Sequence, residues 1–292
     1  MNKWDESVMN TAKQSTSQAQ TTTESQVGSK LTSAQAQPLI KVSHDVAGVM
    51  LLSLNRPEKR NALNNATLQA LVELLHQAEK DSAIKVVVLT GNLKCFAAGA
   101  DLAELAQMDA VALQLDIRPS LWECIDRFSK PMIAAVNGYA LGAGFELVLH
   151  CDLVICGENA QFALPEIGLG MLPGAGGTQR LARLVGQQLC MRWAMTGEMI
   201  DAKLALQHGI CSQVVPSALT LEYAMNLAKK ISLQAPLAIR VIKQSVKSIH
   251  ETSLSQGLKS ERQNFVWLAA TQDRQEGISA FFEKRKPIFR GK

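Results

Sequence analysis

Two carboxylates, Glu146 and Glu166, stand twenty positions apart in Pro131 to Arg180, a stretch built mostly from apolar and small residues. Glu146 falls inside the run Phe145 to Leu149, where a hydrophobe is expected, directly after Gly142-Ala143-Gly144. The run reads as the first turns of a helix, so the small-residue peptides sit where helix N–H groups have no intrahelical partner. Such a terminus receives negative charge, whether a bound anion or charge that develops during a reaction. Small residues there let a ligand approach the backbone closely. Glu166 lies in Leu164-Pro165-Glu166, where the proline favours an extended or turn geometry. Two carboxylates and a donor-rich turn can therefore face one pocket. Each piece alone has a plainer reading: a Glu in a buried helix is more often paired with an Arg or turned to solvent than catalytic. A Gly-rich turn before a helix serves packing as often as binding. Together they mark a site without naming its reaction.

The elements that must position these groups are an alternation of strands, small-residue loops and helices. Leu39 to His44 and Val49 to Leu54 flank Asp45-Val46-Ala47-Gly48 and read as a β-hairpin. After Asn64 or Asn65, a plausible N-cap, Leu68, Leu71, Val72, Leu75 and Ala78 recur at helical spacing. Val86 to Leu89 reads as a buried strand, and the Gly/Ala-rich segment Cys95 to Leu102 leads into a helix. Met132 to Val136 repeats the strand, and the loop and helix around Glu146 follow it. A third unit has a strand at Asp152 to Cys156 and an extended Ala160 to Leu164 that ends at the Glu166 turn. The Gly-rich run Leu172 to Thr178 invites a phosphate-loop reading, but no Gly-Lys-Ser/Thr closes it. A helix follows from Gln179 to Val185, and helical patterns then cover Cys190 to Thr196, Asp201 to His208, Leu219 to Ile231, Pro236 to Ile249, Leu254 to Ala269 and Thr271 to Phe282.

Composition narrows the class. The 292 residues are 47% hydrophobic but only 5% aromatic, which favours an α/β interior over a small β module. A formal charge of +4, with basic residues scattered except at Lys284-Arg285-Lys286, argues against a dedicated nucleic-acid protein. The six cysteines form no CxxC pair, which suits buried thiols in a reduced compartment. His44, His76, His150 and His250 show no metal-ligand spacing, His208 before Gly209 reads as a helix end, and no metal is expected. No stretch of about 18 apolar residues suggests a spanning helix, and no secretory h-region is present, so a cytoplasmic protein is expected. Residues 1–37, rich in Ser, Thr and Gln, read as a disordered tail, with the fold beginning near Pro38.

Three segments together resemble the enoyl-CoA hydratase (crotonase) family: Phe96-Ala97-Ala98-Gly99-Ala100-Asp101-Leu102, Asn137 to Leu147, and Pro165 to Gly170 continued by Pro173 to Arg180. The likeness runs from about residue 38 to the end of the chain. It implies an α/β fold, a crotonase-like spiral of repeated ββα units over 38–230. A C-terminal helical region over 231–292 would trimerise, with trimers often paired into hexamers. The strand–loop–helix repetition alone does not separate that spiral from a doubly wound sheet.

By the same resemblance, the backbone N–H groups of Ala100 and Ala143 would form an oxyanion hole for a coenzyme A thioester. Position 143 is often glycine in relatives. Glu146 would take a proton from water as its oxygen attacks C3, and Glu166 would deliver a proton to C2. The product is the 3-hydroxyacyl-CoA of syn hydration, in fatty-acid or phenylacetate-type catabolism. Coenzyme A would run past Lys59, Ala62, Ala98, Asp101 and Leu102, with Phe282 and Lys284 completing the site from a neighbouring subunit. It enters as part of the substrate, so no separate cofactor is implied. Having both glutamates favours a hydratase over an enoyl-CoA isomerase. A few relatives also bind RNA, but no Lys/Arg-dense amphipathic helix supports that role here, and the retained pair of glutamates argues against a noncatalytic scaffold. Arg118 is the local cation that a second substrate carboxylate would need.

Overall fold

The hairpin forms as its sequence predicts. In the computed structural model, which describes residues 37–292, β1 (Ile40–Ser43) pairs antiparallel with β2 (Val49–Leu54), Ile40 facing Leu54. The disordered tail expected over 1–37 lies, save for Gln37, outside the described residues. Helix α1 (Asn65–Lys80) starts at Asn64, whose side chain accepts from the Thr67 N–H. It buries Leu68, Leu71, Val72, Leu75 and Ala78 on one stripe. That stripe is the i, i+3, i+4 pattern of an amphipathic helix.

Three successive strand pairs then follow: β3 (Val86–Thr90) with β4 (Cys95–Ala97), β5 (Met132–Val136) with β6 (Tyr139–Leu141), and β7 (Leu153–Gly157) with β8 (Gln161–Ala163). The first member of each pair joins the six-stranded sheet β1-β2-β3-β5-β7-β10, and the second joins the four-stranded sheet β4-β6-β8-β9. Short β9 (Ile200–Asp201) and β10 (Gln213–Val215) finish the two sheets. Each pair advances one place in both sheets, so the chain winds as a spiral rather than as a doubly wound sheet. β3 and β5 are buried at every residue, as parallel strands covered on both faces require.

Between the strand pairs come α2 (Leu102–Leu105), α3 (Ala110–Gln114), α4 (Arg118–Arg127) and α5 (Ala143–His150). After them run α6 (Gly177–Val185), α7 (Gln187–Thr196), α8 (Ala202–Gln207), α9 (Thr220–Ser232), α10 (Pro236–Lys247), α11 (Leu254–Leu268) and α12 (Gln272–Phe282). One face of the large sheet (Val86, Val88, Ile133, Ala135, Ile155) packs on Ala224 and Ala228 of α9. Its other face shares a larger core with α1, α4, α5 and the small sheet. Among the described residues no helix is long and apolar enough to cross a membrane.

The segments around Cys95 and Tyr139, read from sequence as small-residue loops, are strands of three residues. That is too short for alternation to register. Helix α4, unforeseen, is anchored by Leu121, Trp122 and Ile125.

Crossing from one sheet to the other takes a tight turn at a glycine. Gly138, between β5 and β6, has φ +59°, and a Cβ there would stand 1.9 Å from the Lys94 carbonyl oxygen. Gly91 and Gly157 occupy the matching crossovers, where an added Cβ would lie 2.4 Å and 2.1 Å from its nearest neighbours. Gly138→Ala is expected to cost about 3 kcal/mol or more, from the left-handed backbone and the overlap together. Urea denaturation of the purified variant measures that loss.

Candidate active site

Strand register collects the candidate residues. β4 lies parallel to β6, Cys95 facing Tyr139 and Ala97 facing Ala140, and β6 lies parallel to β8, from Tyr139 facing Gln161 to Leu141 facing Ala163. All three strands therefore end at one edge, and there they release Ala98–Ala100, Gly142–Ala143 and Leu164–Glu166. The edge beyond the carboxyl ends of parallel strands is where open α/β sheets bind ligands.

Two N–H groups at this edge have no acceptor among the described residues. Leu63 bridges Ala100, its N–H donating to the Gly99 carbonyl (2.8 Å) and its carbonyl accepting from the Asp101 N–H (3.0 Å). In such a parallel bridge the N–H of Ala100 itself points away from Leu63. Ala143 is the first residue of α5, so its N–H precedes the helical ladder. Neither group finds an acceptor among the described residues. The loops touch: a Cβ on Gly142 would lie 3.9 Å from the Gly99 Cα.

Glu146, 2% exposed in the first turns of α5, is held by backbone. Its Oε1 accepts from the N–H groups of Ala175 (2.7 Å) and Gly177 (2.8 Å), while Oε2 makes no hydrogen bond among the described residues. The Gly-rich run, which lacks a phosphate-loop ending, directs its donors to this carboxylate, which caps the N-terminus of α6. Burial raises the Glu146 pKa, and the Gly177 and Ala175 donors and the Arg180 charge oppose that rise.

Glu166 sits in the 3₁₀ turn Pro165–Leu169 that follows β8. Its buried Oε2 has no hydrogen-bond partner among the described residues. Its Oε1 overlies Gly142, where a Cβ would stand 2.6 Å away on a backbone with φ +48°. Burial, reinforced by the Glu146 charge, pushes the Glu166 carboxyl up to about 7. One carboxylate is fixed by donors, and the other is left half protonated near neutrality. That division of labour suits paired proton acceptance and donation.

A family model described as enoyl-CoA hydratase/isomerase matches residues 44–292. The chain belongs to that family. It is similar to 2,3-dehydroadipyl-CoA hydratase of Escherichia coli (strain K12), 56% identical over 244 residues that cover 84% of this chain and 96% of the relative. It is also similar to the mitochondrial enoyl-CoA hydratase of Pongo abelii, 43% identical over 242 residues, covering 83% of each. Among solved structures, the enoyl-CoA hydratase from Bacillus anthracis superposes with a TM-score of 0.84 at 38% identity, covering 87% of this chain and all of that one. The spiral described above is therefore the crotonase fold.

The remaining residues that the family resemblance singled out fall into two groups. Ala62, Ala98 and Lys59 lie together, because the Ala98 N–H donates to the Arg60 carbonyl (3.0 Å) and the Ala62 N–H to the Lys59 carbonyl (2.9 Å). Leu102 is exposed beside them at the start of α2. Asp101 is engaged elsewhere: it pairs with Arg56 at 3.0 Å and caps α2 through the Ala103 N–H. Phe282, 76% exposed, and Lys284 make no hydrogen bond to any residue of the strand-end cluster in this chain. The segment after them packs elsewhere, the Phe289 carbonyl accepting from Lys85 ahead of β3. Arg118 is not a free cation. It is paired with Asp116 and also reaches the Met108 sulfur.

Two contributors were missed from sequence. Asn61, buried with φ +56°, donates to the Cys95 and Phe96 carbonyls and accepts from the Arg56 N–H, so it ties the Lys59 loop to β4. Ala175 stood in the sequence only as a member of the Gly-rich run Leu172 to Thr178, with no role of its own. An Asn in a polar, turn-like run was the one signal the sequence offered for Asn61. Among the described residues no group of three or more His, Cys, Asp or Glu could hold a metal ion.

The Glu166 pKa carries a stability consequence. The folded state keeps a proton that the unfolded chain releases near 4.5, so stability falls as pH rises from 4.5 to about 7. Glu166→Gln removes that slope. The melting temperature of the variant relative to wild type is expected to climb across this window and then level off, a trend that calorimetry at stepped pH follows.

Proposed function

We propose that the chain is an enoyl-CoA hydratase that adds water syn across the 2,3 double bond of a 2-trans-enoyl-CoA. One observation carries this reading: two carboxylates, the buried Glu146 held by two N–H donors and the half-buried Glu166 with its Oε2 unpartnered among the described residues, stand at the strand ends that also carry the N–H groups of Ala100 and Ala143. The thioester oxygen accepts from both N–H groups, and the positive end of α5 favours the charge that builds on it. Water oxygen bonds to C3 while Glu146 takes its proton through the open Oε2. The C2–C3 π pair moves onto the thioester as an enolate, and C2 then takes the proton of Glu166 as the carbonyl re-forms. Both additions come from the carboxylate side.

The coenzyme portion passes Lys59, Ala62, Ala98 and Leu102, and Asp101 serves it by holding Arg56 and the start of α2. No further cofactor is needed, since coenzyme A arrives within the substrate. The C-terminal helices expose Ile242, Val246, Leu258, Phe265 and Phe282, an apolar surface of the kind that marks an interface. A trimer, or a hexamer of paired trimers, would cover it and bring Phe282 and Lys284 to a neighbour's site. Six free cysteines suit a cytoplasmic location. The 56% identical relative makes 2,3-dehydroadipyl-CoA the first substrate to assay. With Arg118 committed to Asp116, a distal carboxylate would have to find another cation.

Loss of the conjugated thioester absorbance, with crotonyl-CoA and 2,3-dehydroadipyl-CoA, tests the reading. Glu146→Gln keeps an acceptor for both backbone donors, and it and Glu166→Gln should each lower kcat by about 10²- to 10⁴-fold. Full hydration by either variant would sink the mechanism. Turnover of a 3-enoyl-CoA without hydration would move the chain to the isomerases. Sedimentation should give the mass of three or six chains, and a stable monomer would remove the role given to Phe282 and Lys284.

A further inference from the structure

A second ring of contacts stands behind Glu146. One turn further along α5, His150 is 3% exposed and stacked on Trp122 of α4, with ring centroids 5.2 Å apart. Its Nε2 lies 3.1 Å from the Ala175 carbonyl oxygen, and its Nδ1 lies 3.6 Å from Asp126 Oδ1. Ala175 is thus gripped on both sides, its carbonyl by His150 and its N–H by Glu146 Oε1 at 2.7 Å. Resting on the reading of Glu146 as the base, we propose that His150 is a positioning residue for Glu146, holding the Ala175 carbonyl so that the Ala175 N–H stays aimed at the carboxylate.

The chemistry of the neighbours decides how the ring acts. A carbonyl only accepts, so the Nε2 facing Ala175 must carry a proton for the contact to hold. Asp126 also only accepts, but it is already served by Arg180 of α6 at 2.8 Å and Lys247 of α10 at 3.4 Å. It does not require the second imidazole proton. The charges around the ring are Asp126, Arg180, Lys247, Glu146 on the same helix and Asp152 just beyond it, itself paired with Lys243. Burial pushes the His150 pKa down and Arg180 adds to that, while Asp126 and the Ala175 carbonyl resist. Around neutral pH the holding form is the neutral ring with its proton on Nε2, which keeps Ala175 in place without adding a charge beside Glu146.

The proposal predicts how the base titrates. Each N–H donated to Glu146 holds its pKa down. Loosening Ala175 should therefore raise that pKa and shift the acidic limb of kcat to higher pH, leaving KM nearly unchanged. His150→Phe keeps a ring against Trp122 and deletes the donor, and His150→Leu replaces it should the Phe variant not fold. His150→Gln places an amide donor within reach of the same carbonyl. On crotonyl-CoA, the Phe variant should lose about tenfold in kcat, with its acidic limb raised by about one unit. Gln should recover most of both, and melting temperatures are measured alongside. In a Glu146→Gln background, His150→Phe should cost nothing further, since the two act as one unit.

Unchanged kcat and acidic limb in the Phe variant, or equal impairment by Phe and Gln with an unshifted limb, overturns the proposal. Additive loss in the double variant does the same. If Glu146→Gln alone hydrates normally, the assignment of the base fails, and this inference falls with it. If Glu146→Gln is inactive while His150→Phe is normal, only the inference falls.

Discussion

Parallel pairing of three very short strands is the constraint on which the site depends. β4, β6 and β8 are each three residues long, yet because they run the same way their outgoing loops emerge at one edge. A one-residue slip would turn every side chain of a strand to the other face and carry its loop out of line with the others. The register is held from outside the small sheet. The crossover glycines fix how each strand leaves the large sheet, and Asn61 ties the Lys59 loop to β4. The long buried strands of the large sheet supply the rigid frame, and the short strands translate it into a cluster of loop ends.

Within that cluster two carboxylates are kept from water by different means. Glu146 is compensated: two N–H donors, the N-terminus of α6 and the nearby Arg180 offset part of the cost of burying its charge. Glu166 receives no such help at Oε2, and it lies close enough to feel the charge of Glu146. Placing a donor-rich and a donor-poor carboxyl together pushes their proton affinities apart. Of the two, Glu166 bears more of the cost, with its buried Oε2 unpartnered among the described residues.

Much of this was legible in the sequence. The hairpin, α1 with its Asn64 cap and the C-terminal helices follow from periodicity and capping residues, because their burial is decided by local pattern. Glu146 and Glu166 stood out as charges in an apolar stretch, and the structure brings both to the same strand ends. Strands of three residues carried too little pattern, so β4 and β6 read as loops, and the spiral was reached only through the family likeness. Partners supplied by distant backbone left no mark either. Nothing local in Gly174-Ala175-Gly176-Gly177 says that its N–H groups point at a residue some thirty positions earlier, nor that Asp126 and His150 from separate helices meet.

The double engagement of Glu146 has a consequence for what this scaffold can become. The carboxylate fills the end of α6 as well as the pocket, so it is part of the helix's own termination. Replacing it with a small residue would bare two backbone donors inside a cavity with little access to water. An uncovered pair of N–H groups at a helix start is itself a receptor for anions. At this position a single change separates a pocket that presents a carboxylate from one that would capture a negatively charged group.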